Sequence, residues 1–187
     1  MSKANKSNKA IKYRLYPNDE QKVMFAKTFG CCRFVYNQLL ALQKQRYKDG
    51  ESHLSKLKSN EFATRTLKKD YDFLKEIDKF AVSNAVFHLA DAYDRFFKKQ
   101  NHFPKFKSKR KSKKSYTTNF TNNNILIGKN VIKLPKVGMV KAVIHKLPKD
   151  DWKLKSVTVS QDSVGHYFAS VLFEYEQEDI PSVSKSS

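Results

Sequence analysis

IKYRLYPNDEQKVMFAKTFGCCRFVYNQLLALQKQRYKDG, residues 11–50, sets the architecture of this chain. Its first six residues alternate. Ile11, Tyr13 and Leu15 fall on one face and Lys12, Arg14 and Tyr16 on the other, the period-two pattern of a strand. Pro17 and Asn18 stop the strand. Asn18 with Gln21 three residues later forms a capping-box pattern, so a helix is expected from Asp19 to about Phe29. Gly30 is expected to interrupt it. A second helix then runs from about Cys31 to Lys48, with Gly50 just past its end. Helix, glycine turn and helix together have the outline of a helix-turn-helix. A lone strand ahead of helices must find sheet partners elsewhere. That requirement sends the reading down the chain.

A third helix is expected over Lys56 to Lys69. A fourth carries Val82, Val86, Leu89, Tyr93 and Phe96, spaced four, three, four and three, as one apolar stripe that ends near Asn101 to Pro104. After Ser115 the pattern turns to strands: Asn124–Ile127, Val131–Leu134, Val137–His145, Leu154–Ser160 and Gly165–Tyr175. These are the partners the first strand needs. The expected fold is therefore α+β, a small β-barrel (1–17 and 115–176) interrupted by an all-helical insertion of about four helices (18–100). A basic connector (101–114) joins the two, and a tail (177–187), acidic and then Ser-rich, is expected to be disordered.

Composition narrows the function classes. The 187 residues hold 37 Lys and Arg against 18 Asp and Glu, a formal net charge of +19. With 14 Phe and 9 Tyr, the chain is too aromatic for a disordered basic tail. No stretch approaches the roughly 18 apolar residues of a membrane span, and the basic run MSKANKSNKA (1–10) lacks the apolar segment of a signal peptide, so secretion is not expected. Cys31 and Cys32 are adjacent and are the whole cysteine complement, which argues against a disulfide scaffold and a cysteine-ligated metal. The five histidines are scattered, and no Walker loop, GxSxG or HExxH occurs. No cofactor or metal is expected. A large positive charge points instead to a polyanion, most often nucleic acid.

The charge is concentrated. Ten of the twenty residues 95–114 are Lys or Arg and none is acidic. Such a density of like charge repels itself unless phosphates neutralise it. Lys105, Lys107, Lys109, Arg110, Lys111, Lys113 and Lys114, with Tyr116 beyond them, are the candidates for holding a nucleic-acid backbone. Phe103 and Phe106 lie among the bases and either stack on nucleotides or pin the arm to the core. The uncharged run SYTTNFTNNN (115–124) offers Asn, Thr and Tyr groups for base edges, or is an ordinary Asn-rich turn. On the fourth helix, Lys79 and Ser83 flank the apolar stripe while Phe80 points nearly opposite it, packed or exposed for a ligand.

Four runs carry a resemblance: YRLYPNDEQKVMFAKTFGCCRFVYNQLLALQKQRY (13–47), EIDKFAVSNAVFHLADAYDRFFKK (76–99), FPKFKSKRKSKKSYTTNFTNNNILI (103–127) and IKLPKVGMVKAVIH (132–145). In order and in motif they resemble the N-terminal part of the TnpB or OrfB proteins of bacterial insertion sequences, which are RNA-guided DNA endonucleases of transposable elements. The resemblance implies a wedge domain built from the first and later strands, with a helical recognition lobe between them. It implies guide RNA and double-stranded target DNA as partners. It also implies a bacterial cytoplasmic location, at the nucleoid when DNA-bound, and a role in transposition. Residue by residue, it places reading of a short target-adjacent motif on Lys79 and Phe80 in DKFA, on Ser83, and on Thr121 and Asn122 in FTNNN. Ser83 stands where similar members usually have Gln, and a serine cannot make a bidentate contact with adenine. The family's RuvC-like carboxylates and zinc-binding cysteines would follow Ser187. The chain alone is therefore expected not to cut DNA. It is a recognition module, a DNA-binding regulator, a transposon remnant, or one half of a split endonuclease completed by a separate RuvC-containing polypeptide.

Overall fold

In a computed structural model the chain is described from residue 5 to residue 177, and the tail expected to be disordered lies, from residue 178 on, outside those residues. Strand β1 (Lys6–Tyr16) leads directly into helix α1 (Asp19–Lys48). The expected capping box is formed. Asn18 Oδ1 accepts from the Gln21 N–H at 2.8 Å and Gln21 Oε1 accepts from the Asn18 N–H at 3.0 Å. At the other end Gly50, at φ +72°, closes the helix. The Glu51 N–H reaches the Arg46 carbonyl at 2.8 Å and the Gly50 N–H reaches that of Tyr47 at 3.2 Å, both bonds of a Schellman motif.

The turn expected at Gly30 is absent, so the two helices expected at 19–29 and 31–48 are one. Buried residues on this helix fall at 25, 28, 29, 31, 32, 35, 36, 39, 40 and 43, one face spaced by threes and fours that continues past Gly30, with Cys31 widening it there. A glycine inside a helix costs about 1 kcal/mol against alanine, and the burial of Phe29, Cys31, Cys32 and Val35 around it outweighs that.

Next come α2 (Lys56–Glu61), a π-helical turn (Phe62–Leu67), α3 (Lys68–Asp70), a 3-10 turn (Asp72–Lys75) and α4 (Lys79–Phe97). Residues 56–70 thus form one helical stretch, and the described chain has three such stretches rather than four. No helix among the described residues is long and apolar enough to cross a membrane. Of the expected stripe on α4, Val82, Val86, Leu89 and Tyr93 are in the core beside Ala81 and Ala85, while Phe96 at its end is only half-buried.

The remaining strands are β2 (Lys114–Asn119), β3 (Leu126–Ile127), β4 (Val131–Leu134), β5 (Gly138–Val143), β6 (Lys153–Gln161) and β7 (Tyr167–Glu176). They join β1 in one antiparallel sheet of order β2-β6-β7-β1-β5-β4-β3. The first strand does find its partners after residue 120. The sheet is open, however, and is not the closed barrel expected. Its end strands β2 and β3 do not pair with each other. Helix α4 lies along the outer edge of β2, where Asn84 Nδ2 donates to the Thr117 carbonyl at 2.9 Å. A helix over that edge shields it, and Asn84 satisfies one of the carbonyls that closure would otherwise pair. On the inner face Phe25 of α1 packs between Tyr116 and Tyr167, with ring centroids 6.2 and 5.5 Å away.

Candidate nucleic-acid interface

Between α4 and β2 the chain has no helix or strand, yet it is tied down. The Asn37 side chain on α1 holds both backbone polar groups of Lys107. Its Oδ1 accepts the N–H at 2.8 Å, and its Nδ2 donates to the carbonyl at 2.9 Å. The Lys107 ammonium lies 4.2 Å from the centroid of the Tyr36 ring, and burial lowers its pKa. Phe103 meets Tyr93 and Phe96 edge-on, at 5.5 and 5.1 Å, so for this ring pinning wins over base stacking. Phe106 is more exposed and carries the Lys44 ammonium over its face at 4.6 Å.

Beyond this anchor the chain turns on itself. Ser108 accepts through its carbonyl from the Ser112 N–H at 3.1 Å, while the two serine hydroxyls accept from Lys111 and Ser108 N–H groups at 3.1 and 2.9 Å. The closed turn projects Lys109, Arg110 and Lys111 outward. Together with Lys113, Lys114 and Lys12 of β1, they line a cleft of about 830 Å³ against the turn between β6 and β7. Among the described residues no carboxylate lies within 4.0 Å of any of these six cations. The one acid of the cleft is Asp162. Its Oδ1 accepts the N–H groups of Val164 and His166 at 3.1 and 2.7 Å, and Oδ2 sits 3.4 Å from His166 Nδ1. That carboxylate is committed to its own turn. Six uncompensated cations around an open groove form a site for a polyanion.

Of the other backbone candidates, Lys105 is exposed outside this cleft. Tyr116 is a correction. It is 3% exposed, its neighbours are Phe25 and Phe29, and burial pushes its hydroxyl pKa up. In β2 the alternation sends Tyr116 and Thr118 inward, which the loop reading of the segment had hidden.

The candidate DNA-reading residues lie at the far end of β2. Lys79 opens α4 with its ammonium 5.2 Å from the Phe80 ring centroid. Phe80 is half-buried and is not among the hydrophobic side chains packed on the core. Ser83 is half-buried and Asn122 is exposed. Thr121 to Asn124 form a tight turn, with the Asn124 N–H on the Thr121 carbonyl at 3.0 Å and left-handed φ of +47° and +56° at Asn122 and Asn123. Positive φ at both central residues is the type I′ pattern that asparagine tolerates. Asn124 Oδ1 accepts from the Thr121 N–H at 2.8 Å, and Nδ2 donates to the Asn119 carbonyl at 2.9 Å. Asn84, one helical turn after Phe80, donates to Asn119 Oδ1 at 2.7 Å. Asn119 therefore ties the start of α4 to the asparagine turn. Asn84 escaped the sequence reading because its partner is a strand 35 residues away. Lys12, at the cleft, escaped it as one more solvent-facing base on a strand.

The OrfB helix-turn-helix family, described as a "Helix-turn-helix domain", matches residues 5–52. That segment here is β1 with the single helix α1. A "Putative RNA-guided DNA endonuclease" of Streptomyces pristinaespiralis is 31% identical over 168 residues, covering 89% of this chain and 41% of that protein. "Putative RNA-guided DNA endonuclease InsQ" of Escherichia coli is 30% identical over 174 residues, covering 89% and 40%. The "Virulence protein VsdF" of Salmonella dublin is 32% identical over 111 residues, covering 54% of this chain and 93% of that protein. The chain spans about two fifths of the length of the two endonucleases.

Proposed function

Because this chain belongs to the TnpB/OrfB family, we propose that it is a nucleic-acid-binding part of an RNA-guided endonuclease system, holding guide RNA and reading target-adjacent DNA. The observation that carries the reading is the cleft. Lys12, Lys109, Arg110, Lys111, Lys113 and Lys114 face one groove, with no carboxylate within ion-pair reach among the described residues. Guide RNA takes this groove, through its backbone and shape rather than its sequence. Duplex DNA meets Lys79, Phe80, Ser83, Thr121 and Asn122 at the other end of β2, with the sheet serving as wedge and the helices as recognition lobe. Cutting falls to a nuclease domain, on a separate RuvC-containing polypeptide if the gene is split.

A salt titration tests the reading. Neutralising six phosphates gives a log Kd against log salt slope of about 4 for single-stranded RNA and about 5 for B-DNA. Replacing Lys109, Arg110, Lys111 and Lys113 with alanine lowers the slope by more than half and weakens all sequences alike. A slope near zero for the wild-type chain refutes the proposal. RNA sequencing of what co-purifies adds the identity: a defined transposon-end transcript is expected, and random cellular RNA argues against a guide. With Mg²⁺ and guide the chain alone leaves DNA intact.

A further inference from the structure

Arg14 lies on the outward face of β1, between the buried Tyr13 and Leu15. Its cross-strand partners are Phe168 on β7 and Val143 on β5. The guanidinium carbon is 4.9 Å from the Tyr16 ring centroid and 5.5 Å from that of Phe168. The Lys12 ammonium stands over the same Phe168 ring at 4.5 Å. No carboxylate approaches Arg14 within 4.0 Å among the described residues. Its Nε is buried without a hydrogen-bond partner. Lys12 and Phe168 both line the cleft formed with the basic turn.

A guanidinium is a planar fork of five donors, and carboxylate and phosphate oxygens match it two at a time. Here aromatic rings hold the fork, the strand beneath it is paired on both sides, and the one carboxylate it is seen to act on, Asp162, stays beyond ion-pair distance and is hydrogen-bonded into its own turn. A partnerless, partly desolvated cation is unfavourable unless a ligand completes it. The ligand is an anion and not a stacked base, because Lys12 and Arg14 already lie over the Phe168 ring. We propose that Arg14, oriented by Tyr16 and Phe168, is a phosphate fork at the edge of the basic cleft and grips one backbone phosphate of the RNA strand bound there. The proposal rests on the nucleic-acid-binding reading and adds to it a residue whose geometry matters beyond its charge.

The test compares Arg14→Lys, Arg14→Ala and Phe168→Leu with the wild-type chain. Each is titrated with a fluorescein-labelled 20-nucleotide single-stranded RNA across a salt series. A positioned fork predicts that Arg14→Lys loses about tenfold in affinity or more, although its charge is kept. Its salt slope stays at the wild-type value. Arg14→Ala loses at least as much, and its slope falls by about 0.7, one phosphate. Phe168→Leu weakens binding at unchanged slope, since the charge remains but its orientation is lost. Melting curves confirm folding, and Arg14→Lys alone decides the matter if a more drastic variant does not fold. An Arg14→Lys chain that is folded and binds RNA like the wild type overturns the fork while leaving the broader reading intact. A wild-type chain without salt-dependent RNA binding overturns both.

Discussion

Replacing Gly30 with alanine separates one long helix from two helices meeting at a turn. In the structure Gly30 has helical backbone within α1, and its φ is not positive. A Cβ built on it meets nothing within 4 Å. The substitution therefore introduces no clash and removes the excess backbone entropy of a mid-helix glycine, worth about 0.8–1 kcal/mol. The site is half-buried, so the added methyl contributes a little more at most. A stabilisation of about 1 kcal/mol raises the melting temperature of a chain this size by about 2–4 °C. Gly50→Ala is the internal contrast. At φ +72° the new side chain is strained in the Schellman turn, and a loss of about 1 kcal/mol is expected. Thermal melts followed by circular dichroism, with urea curves to check that the m-value is unchanged, measure both. If Gly30→Ala destabilises as Gly50→Ala does, residue 30 occupies a left-handed turn and the continuous-helix account is wrong.

Phe80→Ala is expected to leave the melting temperature nearly unchanged, while discrimination between cognate and scrambled target-adjacent duplexes falls by about 1–3 kcal/mol, the usual value of one base contact. Leu89→Ala, from the buried stripe of α4, is the opposite case, with about 2–5 kcal/mol of stability lost. A Phe80→Ala chain that melts early yet keeps its sequence preference reassigns that ring to packing. Stability is also expected to fall on acidification from pH 7.5 to 5.5. His53, edge-on against Tyr93 at 4.5 Å, has its pKa lowered from 6.5 by partial desolvation, and His88 by partial desolvation and then by Lys107; both rings keep some solvent contact, so the effect is modest. Both folded pKa values lie below the unfolded ones. The unfolded chain therefore takes up more protons as pH drops through about 6.5, and stability is lost there and levels off below the folded values. Urea midpoints for the wild type and for a His53→Asn, His88→Asn chain measure this. A wild-type midpoint that does not move contradicts it.

What the sequence made legible was whatever repeats locally. The alternation of Ile11, Tyr13 and Leu15, the pairing of Asn18 with Gln21 and the stripe from Val82 to Tyr93 each involve residues within a turn or two of one another. What stayed hidden depends on partners far along the chain. Gly30 was read through its own propensity, and the phase of the buried residues on both sides, which overrules it, needed the whole helix. The segment from Lys114 to Asn119 looks polar and loop-like because Thr118 is a polar residue that β2 buries. Arg14 and Lys12 looked like solvent-facing charges until the register with β7 set Arg14 opposite Phe168, 154 positions away. The basic arm was visible as composition, but the cleft it lines required knowing that Ser108 and Ser112 close the turn and that Asn37 anchors Lys107.

Strand β2 explains why the charge of +19 need not make the chain an indiscriminate polyanion binder. Lys114 begins the strand in the cleft, and Asn119 ends it at the asparagine turn. Five rises of about 3.3 Å put the two ends about 17 Å apart. The strand cannot bend freely between them. It is paired to β6 at each of its six residues and held on its other edge by Asn84. The two ends also differ in kind. At one end cations dominate, with reach set by charge and falling steeply with salt. At the other, apart from Lys79, the groups are a half-buried ring, the Ser83 hydroxyl on α4, and the Thr121 hydroxyl and Asn122 amide fixed by their own backbone turn. Under the proposed function, RNA held by its phosphates at the first end would lie at a fixed distance from a duplex read by short-range contacts at the second. Salt weakens the first set of contacts and barely touches the second. On this arrangement raising the salt lowers affinity for RNA steeply, while the ratio between cognate and scrambled target-adjacent duplexes stays nearly constant.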